Sequence, residues 1–223
     1  MISFNTLHEA ALRNHGEEKI NALLPTVKTP RDLAAMDDDR ILSAMARCVF
    51  RAGFSWSVIN KKWPDFETVF AGFNPFAIAH YSDERIDALM QETRIVRHRT
   101  KIQAVRTNAL YICDIQQSHD SFSRFIADWP EDRIVELWLA LKKEGSRLGG
   151  NSGPGFLRLI GKDTFLLTKD VCAVLLNHGL IDGISPNAKR DLLKVQAIFN
   201  DFQQSSAYPL SHISRILALS LQS

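Results

Sequence analysis

The sequence predicts an all-α protein, and three observations carry that prediction. Apolar residues recur at three-to-four spacing along most of the chain. Several of these segments open on a capping or acidic residue and close on glycine or basic residues. Alternating apolar and polar runs joined by hairpin turns are nearly absent.

Taken in order, "DDDRILSAMARCVFRAG" places acids in a first helical turn and uses Gly53 as a stop. "SDERIDALMQET" opens on Ser82, a good N-cap, with Glu84 where negative charge suits the helix dipole. "HRTKIQAVRTNALYICDIQQ" lines Ile102, Val105, Ala109, Ile112 and Ile115 along one face. "PEDRIVELWLALKKEG" places Pro130 in its first turn and lysines at its end. Helices are also expected over "FLRLIG", "DVCAVLLNHG", "SPNAKRDLLKVQAIFNDFQQ" and "LSHISRILALSLQ", with "SSAYP" as a break between the last two. A two-lobed arrangement within one compact unit is expected. Residues 40–165 would form a central lobe, and residues 1–39 with 166–223 a second.

The 223 residues, 45% hydrophobic and 23% charged, suit one globular unit with a sizeable core. No apolar run reaches the roughly 18 residues of a membrane span, and the first residues lack a signal-peptide pattern, so a cytoplasmic protein without membrane contact is expected. Cys48, Cys113 and Cys172 are odd in number and scattered, which argues against a disulfide framework. Neither they nor the histidines show zinc-ligand spacing, so no metal and no cofactor is expected. The net charge of +2 is unevenly placed: "RIVRHRTKIQAVR" holds five Arg/Lys and no acid, and "LKKEGSR" adds a second basic cluster. Either cluster could be a solvated helix face. Together, beside a glycine turn, they suggest a phosphate-facing surface.

That turn, "RLGGNSGPGF", has four glycines in ten residues between two helical segments. Glycine leaves backbone N–H groups uncovered, and at a helix start these suit an anionic oxygen. A plain connector packed closely through its glycines is the alternative. Downstream, Asp170 follows the apolar "TFLL" and opens a helix, where it could be an N-cap or a functional carboxylate.

The turn and the aspartate together resemble the helix-hairpin-helix DNA glycosylase superfamily, whose "L-P-G-V-G" hairpin precedes a catalytic aspartate by about twenty residues. Here Leu148-Gly149-Gly150 opens the turn and Asp170 follows Gly150 by 20 positions, while Asn151-Ser152-Gly153 departs from the consensus. "RAGFSWSVINKKWPDFETVFAGFNPFAIA", "IVRHRTKIQAVRTNA" and "LKKEG" further resemble the 3-methyladenine DNA glycosylase I family. The resemblance implies a monofunctional DNA N-glycosylase of base excision repair that flips an alkylated, 3-methyladenine-like purine out of damaged double-stranded DNA, acting as a monomer.

Residue by residue, it implies Asp170 as the catalytic carboxylate and Trp56 and Cys48 in the base pocket. Phe54 would be the wedge in the DNA. DNA contacts would come from Arg99, Lys101, Arg147, Gly149, Gly150, Ser152 and Gly153. A core packing role for Phe54 or Trp56 is the alternative. The family's N-terminal zinc ligands are missing, and Cys48 stands where the family has a base-reading glutamate. A thiol cannot accept hydrogen bonds from an exocyclic amine as a carboxylate does. Action on another lesion, or DNA binding without catalysis, therefore remain alternatives. No lysine lies between the hairpin and Lys162, so Schiff-base lyase chemistry is not expected.

Overall fold

A computed structural model describes residues 2–183, 185 and 188–221. Among them every regular element is helical. The order is α1 (Phe4–His15), α2 (Glu17–Leu23), α3 (Pro30–Ala34), α4 (Asp38–Arg51), α5 (Trp56–Val69), α6 (Pro75–Ala79) and α7 (Asp83–Leu89). Then follow α8 (Arg99–Gln116), α9 (Phe122–Ala127), α10 (Ile134–Glu144), α11 (Ser152–Ile160), α12 (Lys169–Asn177), α13 (Lys189–Ser206) and α14 (Leu210–Ser220). No helix among the described residues is long and apolar enough to cross a membrane.

The periodic segments become helices because their apolar stripes meet. Ile102, Val105, Ala109 and Ile112 of α8 are buried, and α8 packs on α4 and α6. Ser82 caps α7 by accepting from the Arg85 N–H, as its sequence position predicts. Aromatic rings fill the space beside α4, with Trp63 stacked on Phe66 and Phe73. The chain ends form a second grouping, in which α14 packs on α1, α12 and α13. Helix α3 lies before residue 39, yet it packs on α9 of the central group, because Leu33 finds its burial there.

Three boundaries differ from the sequence expectation. Pro130 is extended and precedes a 3₁₀ turn over Glu131–Arg133, so α10 begins only at Ile134. Helix α11 starts at Ser152, four residues before Phe156, since Pro154 needs no N–H partner in a first turn. Helix α13 begins at Lys189, and Pro186 and Asn187 of the expected first turn lie outside the described residues.

Between α11 and α12 the chain runs without regular structure from Lys162 to Leu167, buried but polar at its start. Its polar groups are paired. Lys162 donates to the Trp129 and Ala127 carbonyls, and Asp163 accepts from the Leu210 and Ser211 N–H groups at 2.8 Å each. Thr164 accepts from the Trp138 indole. This stitching holds α14 against the end of α11 and delivers Thr168 to a cleft. Lys162 is spent on carbonyls in the interior, which removes it as a reactive amine.

Candidate functional site

Helix α4 ends in a tight turn in which Gly53 takes φ 77°, a left-handed conformation that glycine adopts without strain. The turn sets Phe54 on the surface and starts α5 at Trp56. Trp56 is 64% exposed and Phe54 39%, so neither is a core residue. Phe54 stands edge-on to His98 and lies over the Lys101 ammonium at 4.4 Å.

The family resemblance implies a DNA contact for Lys101, and the structure corrects this. Its side chain is only 3% exposed, and its ammonium donates to the Phe50 and Ala52 carbonyls, which the end of α4 leaves without intrahelical partners. Lys101 thus supports the turn that carries Phe54 and Trp56. Replacing Lys101 by methionine is expected to cost about 2–3 kcal/mol of stability and to loosen the turn. A denaturant melt, with Trp56 fluorescence as a second probe, checks both.

The second turn, residues 145–151, joins α10 to α11. Asn108 of α8 holds it in place: its Oδ1 accepts from the Ser146 N–H at 2.7 Å and its Nδ2 donates to the Ser146 carbonyl. Gly150 is left-handed at φ 58°, and so is Arg147 at 60°, whose guanidinium reaches Thr100. Among the described residues the N–H groups of Gly149 and Gly150 donate to no backbone carbonyl. Gly153 has a different role from the phosphate contact expected of it. It is buried inside α11, and a Cβ there would lie 2.5 Å from the Leu148 carbonyl oxygen. Its bare Cα permits close packing of the turn against the helix.

These two turns face one cleft of about 310 Å³. Cys48, Arg51, Ala52 and Trp56 line one side. Asn151, Ser152 and Gly155 line the other, and Leu166 and Thr168 close it. Packing of α11 on α4 brings the two sides together. The Arg51 guanidinium sits over the Trp56 ring at 4.9 Å and is fixed by the Asn60 side-chain oxygen at 2.6 Å. Burial pushes the Cys48 thiol up to about 11 against the pull of Arg51 and Arg47, so it stays protonated at neutral pH. No carboxylate lines this cleft among the described residues.

Asp170 is exposed at the second position of α12 and lies outside the cleft lining. The cap of that helix is Thr168, which accepts from the Val171 N–H. Asp170 is therefore not the N-cap. Arg99 is paired with Asp87 on the surface, and the basic run 94–106 is largely neutralised. Arg94 meets Glu92 and Arg106 meets Asp83. Acids from α7 and the segment after it cancel most of the charge that the linear run displays.

Comparison with known proteins adds to this geometry. A family model described as methyladenine glycosylase matches residues 33–144. That span includes Cys48, Phe54, Trp56, Arg99 and Lys101 and stops before the 145–151 turn. DNA-3-methyladenine glycosylase 1 of Escherichia coli (strain K12) is 34% identical over 76 residues, which is 34% of this chain and 41% of that protein. The corresponding enzyme of Haemophilus influenzae is 36% identical over 76 residues, with the same shares. The chain thus matches about two-fifths of the length of these curated relatives. A structure of 3-methyladenine DNA glycosylase I from Staphylococcus aureus aligns with TM-score 0.53 and 26% identity, over 71% of this chain and 95% of that one. An 8-oxoguanine glycosylase/lyase from Methanocaldococcus jannaschii, solved with 15mer DNA, aligns with TM-score 0.54 over 95% of this chain and 93% of that one. Its 12% identity speaks for the fold alone.

Proposed function

Because the chain belongs to the methyladenine glycosylase family, we propose that it is a monofunctional DNA N-glycosylase that hydrolyses the bond between deoxyribose and an alkylated purine. The observation that carries this reading is the single cleft shared by the exposed Trp56 and the start of α11, elements nearly one hundred positions apart in sequence. Its size suits one base, and an aromatic wall beside polar groups suits a flipped one.

In this reading the uncovered N–H groups of Gly149 and Gly150 hold a backbone phosphate without reading sequence. Phe54, exposed on the neighbouring turn, fills the stack that the flipped base leaves. The base stacks on Trp56 once Arg51 swings aside. Cleavage builds positive charge on the sugar, and Asp170, two residues from the lining Thr168, supplies a carboxylate to stabilise it and orient water. An alkylated purine is a good leaving group, which explains a pocket without a strong general acid. With Lys162 committed to carbonyls, an abasic strand is the expected product.

The test is incubation of methylated duplex DNA with the protein, followed by separate assays of free base and of strand nicking. Free methylated purine with an unbroken abasic strand is expected. Absence of every released base would leave only DNA binding, and nicking with base release would contradict the monofunctional reading.

The protonated Cys48 thiol weakens recognition of an adenine amine. Cys48→Glu is expected to raise release of 3-methyladenine relative to methylated guanine about tenfold, the worth of one well-placed base contact. Competition between the two lesions in one reaction measures the ratio.

A further inference from the structure

Beyond the base cleft lies a second cavity of about 660 Å³, which shares Arg51, Trp56, Gly155, Leu166 and Thr168 with it. Among the described residues its charged lining is basic: Lys28, Arg51, Arg158 and Arg215. None of the four makes an ion pair with a carboxylate among the described residues. They come from four separate parts of the chain; Lys28, Arg158 and Arg215 are held in position, and Arg51 is the one that moves off the Trp56 ring when a base enters.

Gly161, at φ 92°, lets the Lys28 stem approach so closely that a Cβ would stand 2.8 Å from Lys28 Cγ, and the Lys28 N–H donates to the Gly161 carbonyl. Arg215 is anchored by the Leu23 carbonyl. Arg158 is fixed by the Thr164 carbonyl at 2.9 Å and the Ser214 hydroxyl at 3.1 Å, while its Nε is buried without a partner. Burial and then the neighbouring Arg215 push the Arg158 guanidinium down to about 10, with Asp163 pulling the other way. It is still charged at neutral pH, and an anion in the cleft would offset that strain. Positioned cations gathered without a counter-ion describe a site for an anion, and guanidinium groups suit the oxygens of a phosphate.

We infer that this cleft binds a phosphate ester, that of the nucleotide whose base occupies the neighbouring Trp56 cleft. The placement of the base rests on the glycosylase reading above, whereas the phosphate chemistry rests on the four cations alone. The phosphate could belong to the DNA backbone beside a flipped nucleotide or to a free mononucleotide. Three of the four residues, Lys28, Arg158 and Arg215, lie outside the span that the family model matches.

The experiment compares wild type with Lys28→Gln/Arg215→Gln and with Lys28→Gln alone. The single variant leaves the Arg215 anchor intact and guards against misfolding, which thermal melts monitor. Binding is measured to a duplex containing an abasic-site analogue across a salt series, and to deoxyadenosine monophosphate and inorganic phosphate. If the backbone phosphate is the ligand, the slope of log K against log salt falls by about 0.9 in the double variant, the loss of one phosphate contact. If a free nucleotide is the ligand, the slope stays and the double variant binds the monophosphate about tenfold or more weakly than wild type. Both results support the site. Unchanged slope together with unchanged monophosphate and phosphate binding overturns it. A protein that releases no base but shows the fallen slope would refute the catalytic reading and leave the phosphate site standing.

Discussion

Asp170→Asn is expected to lower the single-turnover rate of base release by about 10²–10³-fold, the usual effect of removing one preorganised electrostatic group from a transition state. Affinity for the DNA should stay within about twofold, because the residue is assigned to charge that develops only during cleavage. The structure makes this a clean variant. Thr168 caps α12 through the Val171 N–H, and Asp170 is exposed at the second helical position without serving as the cap. An amide there changes charge and little else, so a loss of rate would not reflect a damaged fold. Undiminished release would remove Asp170 from the mechanism. Asn151, Ser152 and Thr168 would then remain as the polar groups of the cleft available to position water.

Asp163→Ala is expected to cost about 3–5 kcal/mol of unfolding free energy, from two charge-assisted hydrogen bonds and the buried donors left behind. The carboxylate is 2% exposed and accepts from two successive buried N–H groups at the start of α14. Water cannot replace it. The effect should reach the basic cleft as well, since α14 carries Arg215 and Asp163 also acts electrostatically on Arg158. Asp163→Asn keeps one acceptor oxygen and should lose roughly half as much. Urea titrations of the three proteins check the ranking, and equal stabilities would refute the capping account.

Much of the site was legible before folding. Gly53, Phe54 and Trp56 stood in one short motif, and the Gly149–Gly150 turn announced itself by composition. The roles of Lys101 and Gly153 were not legible. A lysine in a basic run looks like a surface charge until the end of α4 is seen to need two carbonyls satisfied. A glycine in a glycine-rich turn looks like an open N–H until Leu148 is found against its Cα. Asn108 fitted the family pattern, but its clamp on Ser146 depends on a contact 38 positions away.

The sequence by itself determined the all-α class, because helix formation answers to local periodicity, capping and dipole preference, all of which are written within a few turns of chain. Only the tertiary structure decided which positive charges are available to a ligand. The conspicuous run 94–106 is largely paired off by Asp83, Asp87 and Glu92. Lys28, Arg51, Arg158 and Arg215, inconspicuous in the sequence, converge on one cavity that no carboxylate lines among the described residues. Charge acts through space and is set by distance and burial, and neither quantity can be read along the chain.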